Sequence, residues 1–66
     1  MNELINYIEN RYKYALEAKT VADKRSFFMQ AFGALDFATT AKVEGYKEAL
    51  DQWEDWCDKF TNLIYG

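Results

Sequence analysis

Five carboxylates pose the first chemical question. Glu44, Glu48, Asp51, Asp55 and Asp58 recur at intervals of four and three, which on a helix sets them along one face. Such a row can imitate a phosphate backbone and occupy a basic nucleic-acid-binding site on another protein. It can equally be a solvated face that keeps the chain in solution. Oxygen ligation of calcium or magnesium is a third chemistry. Metal sites in helical bundles, however, draw inward-facing ligands from several helices. These carboxylates face outward, and the chain has no His and no EF-hand loop pattern. No metal and no other cofactor is expected.

The nucleophiles give no catalytic constellation. Covalent catalysis needs a nucleophile, a base and an orienting group. Cys57 has no His partner and falls within an apolar stripe, where burial raises a thiol pKa and makes it inert. Ser26 is the only serine, no base is suitably spaced from it, and there is no glycine-rich phosphate loop. The chain is read as non-enzymatic.

The elements that must carry these residues are helices. No proline interrupts the chain, Gly33, Gly45 and Gly66 are its only glycines, and no segment alternates as a half-buried strand does. Val43, Tyr46, Leu50, Trp53, Cys57, Phe60 and Ile64 form one helical stripe behind the carboxylates, widened by Ala49, Trp56 and Leu63. Nearer the N-terminus, Leu4, Ile5, Ile8, Tyr12, Ala15 and Leu16 share a face, flanked by Tyr7, Arg11, Tyr14 and Ala18. If that helix continued, Phe28 and Phe32 would point about 160° and 120° away from Ile8. The phase shift predicts a break near Lys19 to Val21, with Thr20 capping the next helix and Asp23 in its first turn. Asn2 can cap the first helix, and Thr39 or Thr40 the third.

The expected fold is therefore all-α, a small three-helix bundle over residues 2–18, 21–38 and 41–65, in a single domain 1–66. Gly45 is placed inside the third helix. The alternative makes Gly33 a helix end and Asp36 a cap. It gives a two-helix hairpin over 2–32 and 37–65 that dimerises into a four-helix bundle.

Size and charge narrow the function. Sixty-six residues, half of them hydrophobic and 18% aromatic, make a chain that folds with a small core. One Cys cannot form an internal disulfide, so packing and oligomerisation remain as sources of stability. Residues 1–33 carry five basic and four acidic side chains, net +1. Residues 34–66 carry three and seven, net −4, which together give −3. Direct nucleic-acid binding is not expected of such a balance, although a dipolar split suits antiparallel self-pairing. No apolar run is long enough for a membrane span. Met1-Asn2-Glu3-Leu4-Ile5-Asn6 lacks the features of a signal peptide, and a single Cys favours a reducing cytoplasm.

The second helix carries a surplus. Beyond its core stripe of Phe28, Ala31, Phe32 and Leu35 it bears Phe27, Met29, Ala34, Phe37 and Ala38 on its other faces. A helix apolar nearly all round needs neighbours. Two short helices cannot surround it, so a protein partner is implied, with a homo-oligomer the expected form. The candidate partner-binding residues are Tyr7, Tyr14, Phe27, Phe37, Trp56 and Leu63, types that interfaces favour. The function read from the sequence is a non-catalytic, cytoplasmic interaction module that self-associates or docks on a larger protein. The alternative is an acidic inhibitor of the phage type, using the carboxylate ridge Glu44, Glu48, Asp51, Asp55 and Asp58.

Overall fold

The computed structural model describes residues 2–66. Asn2 stands just ahead of the first helix in extended backbone, and its Oδ1 accepts the Ile5 N–H at 3.1 Å. That bond satisfies one of the free donors of the first turn and starts α1, Glu3–Glu17. At Ala18 the backbone turns extended, and Thr20 Oγ1 accepts the Asp23 N–H at 3.1 Å to open α2, Val21–Ala41. The break falls where the phase shift places it. After a short link comes α3, Tyr46–Tyr65. All three helices pack against one another as a small three-helix bundle, with no strand among the described residues.

The second junction differs from expectation. Thr39 and Thr40 do not cap α3; both lie within α2, and the Thr39 hydroxyl donates to the Leu35 carbonyl at 2.8 Å. This bond back to the preceding turn is the other use a helical threonine has for its hydroxyl. α2 runs on to Ala41 and stops at Lys42, a left-handed residue (φ 55°), where the Val43 N–H closes on the Ala38 carbonyl at 2.9 Å. Gly45 is not inside α3 but precedes it, at φ 89°. Val43 and Glu44 therefore belong to the link. The hairpin is likewise not formed, because α2 passes straight through Gly33 and Asp36.

One side chain ties the two ends of this arrangement together. Besides capping α1, Asn2 donates through Nδ2 to the Gly45 carbonyl at 3.0 Å. The start of α1 is thus pinned to the start of α3, which has no side-chain cap of its own.

The core is narrow. Ile8 and Ala15 from α1, Ala31 and Leu35 from α2, and Ala49 and Phe60 from α3 form its buried cluster. Tyr12 meets the Phe60 ring edge-on at 5.2 Å, and Phe28 stacks on it at 5.0 Å. At about 1.5 Å per residue α2 is about 31 Å long, which matches the 33 Å long axis of the molecule. It has no room to be enclosed.

The two internal glycines should respond oppositely to alanine. A Cβ at Gly33 would meet nothing within 4 Å, so Gly33→Ala should raise stability by about 1 kcal/mol through helix propensity. At Gly45 a Cβ would come within 2.5 Å of Asn2 Nδ2 on a positive-φ backbone. Gly45→Ala should cost more than about 1 kcal/mol. Urea unfolding of the two variants checks both signs.

Candidate functional site

Uncovered apolar surface lies on α2. Its inward side is taken by Ala31, Leu35 and Ala38, with Phe27 and Phe28 half-buried against the core. On the solvent side Met29 is 69% exposed, Phe32 55% and Phe37 68%. The sequence pattern places Phe32 in the core stripe beside Phe28, and the structure does not. The α2 side of the core is made by Ala31 and Leu35 with Phe27 and Phe28 packed against them, and Phe32 is left at the α2–α3 seam. There Phe32, Leu35, Asp36 and Thr39 face Leu50 and Trp53 across an open groove of about 200 Å³. The Phe32 and Trp53 rings meet at 5.9 Å.

A second aromatic patch lies at the α1–α2 seam. The Arg11 guanidinium sits 4.9 Å from the Tyr7 ring centre, 4.7 Å from Tyr14 and 5.9 Å from Phe27. Tyr14 stacks on Phe27 at 5.7 Å. Arg11 donates to Gln30 Oε1 at 3.1 Å, while its buried Nε finds no acceptor. The rings hold this cation without a carboxylate, an arrangement worth about 0.5–2 kcal/mol for each good ring contact. Three of the sequence-derived interaction residues, Tyr7, Tyr14 and Phe27, are thereby brought together around Arg11, which the sequence marks only as flanking.

The other three are dispersed. Phe37 stands on the open side of α2. Trp56 and Leu63 are half-buried against the core. Trp56 lies edge-on to Tyr12 at 5.7 Å and carries the Lys59 ammonium 4.5 Å above its ring. Phe32 and Leu50 are exposed residues that the sequence pattern assigns to core stripes, whereas Met29 stands on the open side of α2 as its place in the surplus implies. Their signal is the all-round hydrophobicity of α2 combined with the width of the α3 stripe.

Of the carboxylate row, Glu48, Asp51, Asp55 and Asp58 share α3 and are exposed, while Glu44 sits in the link. Pairs of Lys47 with Asp51 and of Asp55 with Lys59, which the spacing allows, do not close. Among the described residues the single ion pair joins Lys13 and Glu9 at 3.7 Å. At the foot of the row an open hollow of about 500 Å³ is bordered by Asn2, Glu3, Val43, Gly45 and Glu48. Among the described residues no three His, Cys, Asp or Glu side chains are grouped to hold a metal ion, and no helix is long and apolar enough to cross a membrane.

No protein-family model matches the chain, and neither a curated protein nor a solved structure gives a significant match.

Cys57 is half-buried. Burial pushes its thiol pKa up, the Asp58 and Glu54 carboxylates add to the rise, and a hydrogen bond involving Trp53 partly opposes it. A raised pKa keeps the thiol protonated at neutral pH, and the thiolate is the form that reacts. Its alkylation by iodoacetamide at pH 7.5 (a condition about one unit below the ordinary thiol pKa) should be several-fold slower in the folded protein than in urea. The folded protein's rate should still be climbing above the pH at which a free thiol levels off.

Proposed function

We propose that this chain is a small non-catalytic interaction module that self-associates or docks on a larger protein through aromatic helix surface. One observation carries it. α2 presents Met29, Phe32 and Phe37 to solvent, and Phe32 also lines an apolar groove with Leu50 and Trp53. Fully burying a side chain of this size contributes about 1.5–3 kcal/mol, and covering the exposed part of each of the three would supply a share of that toward the cost of association. Tyr7, Tyr14 and Arg11 offer a second patch of the residue types found at interface centres. A single, protonated Cys57 is at home in a reducing compartment such as the cytoplasm.

The alternative is an acidic inhibitor that occupies a basic nucleic-acid site. Its support is that Glu48, Asp51, Asp55 and Asp58 are exposed, with no basic partner in ion-pair contact among the described residues.

A photo-cross-linking amino acid placed at Phe37 or at Asp55 separates the two. Protein adducts from position 37, with none from 55, are expected. Phe32→Asp should weaken the same association by roughly tenfold or more, about 1.4 kcal/mol. Reversing Asp51, Asp55 and Asp58 together should change it less than about threefold. Adducts from position 55 alone would overturn the interaction reading in favour of the inhibitor.

A further inference from the structure

The solvent face of α2 is self-complementary. Ala22, Arg25, Met29, Phe32, Asp36 and Thr39 follow one another at intervals of three, four, three, four and three, the repeat of a helix-pairing seam. That series of intervals reads the same from either end. Reversed about its midpoint, between Gln30 and Ala31, it sets Ala22 against Thr39, Arg25 against Asp36, and Met29 against Phe32. Small meets small, cation meets anion, apolar meets apolar. A parallel, in-register pairing would instead set Arg25 on Arg25 and Asp36 on Asp36.

The geometry points to a second copy of this chain as the occupant of that face. The two α2 helices lie antiparallel across a two-fold axis at the level of Gln30 and Ala31, and Arg25 of each copy meets Asp36 of the other. This rests on the interaction reading above and names the partner.

The surroundings fit such a neighbour. Arg25 and Asp36 are both exposed, and neither makes an ion pair among the described residues. The Arg25 guanidinium rests 5.4 Å from the Tyr65 ring centre, leaving its donors free for a carboxylate. One flank of the stripe is small, with Ser26, Gly33 and Thr40, and the space beside Gly33 is open, which lets a second helix approach closely. The other flank is the groove walled by Leu50 and Trp53, where the partner's Met29 comes to lie at the level of Phe32. The interface is isologous, so each contact occurs twice. Its charges sit at the rim, where they set orientation more than affinity. The apolar centre then supplies the binding.

Sedimentation equilibrium from micromolar to millimolar protein tests this with two exposed substitutions. The wild-type chain should approach twice its monomer mass. Arg25→Glu sets a new carboxylate against Asp36, and Asp36→Arg sets a new guanidinium against Arg25, each twice. Either variant alone should dimerise roughly tenfold or more weakly. An equimolar mixture of the two forms a heterodimer in which one of the two sites regains a pair of opposite charges in reversed order and the other keeps the native pair. That mixture should return to within about threefold of wild type. Circular dichroism of each variant should show unchanged helix content. A wild-type chain that stays monomeric at millimolar concentration overturns the inference. So does a dimer indifferent to the two changes, or a mixture no better than its components. A monomer still cross-linked to another protein from position 37 would overturn only the second copy and leave the interaction reading standing.

Discussion

Phe60 is the side chain on which the three helices converge. It is fully buried, Tyr12 of α1 meets it edge-on, and Phe28 of α2 stacks on it. Around this ring the buried cluster is completed by Ile8, Leu35 and the alanines Ala15, Ala31 and Ala49. Alanines let helices approach closely, and close approach leaves no interior volume for further rings. A close-packed core of this width cannot absorb five Phe, five Tyr and two Trp. The remaining aromatics are displaced to the seams. Tyr12, Phe27, Phe28, Trp53 and Trp56 end half-buried there, and Phe32 and Phe37 are pushed out further still. The apolar surface of α2 follows from the smallness of the core.

Among the described residues no polar side chain is buried, so the specificity of the helix arrangement comes from bonds at the periphery. Asn2 is the clearest case. Its carbonyl oxygen caps α1 and its amide nitrogen holds the Gly45 carbonyl at the start of α3. The cap is legible in the sequence because it is local: an Asn directly before an apolar-periodic run. The hold on Gly45 spans 43 positions and has no local signature. The Thr20 cap and the break before it are legible for a related reason, since a phase shift between two apolar stripes is a property of each stripe alone.

The second junction is not legible, and the cause is a degeneracy of threonine. Its hydroxyl serves equally as an N-cap acceptor or as a donor to the carbonyl four residues back, and in α2 Thr39 does the latter. Lys42 adds to this, because a left-handed stop is usually marked by Gly or Asn and in this chain falls on a lysine. The surface of α2 is legible to a similar depth. That it carries more apolar area than two helices can cover follows from composition. Which of its rings face outward depends on the angle at which α2 meets its neighbours. The buried line of α2 runs through Ala31, Leu35 and Ala38 rather than through Phe32.

The two candidate surfaces differ in what each could contribute energetically to the proposed binding. Exposed carboxylates on α3 gain about 0–1 kcal/mol each from an opposite charge at a solvated contact, and salt screens them further. Met29, Phe32 and Phe37 stand to gain more per residue, and their burial is not screened. On this balance the α2 face, rather than the ridge, favours the proposed interaction reading. For so small a fold this also ties binding to folding, because a partner that recognises only the native state stabilises it by mass action. A chain whose single cysteine cannot close an internal disulfide gains most from such coupling. In the antiparallel pairing proposed for α2, the partner that supplies it is another copy of the same helix.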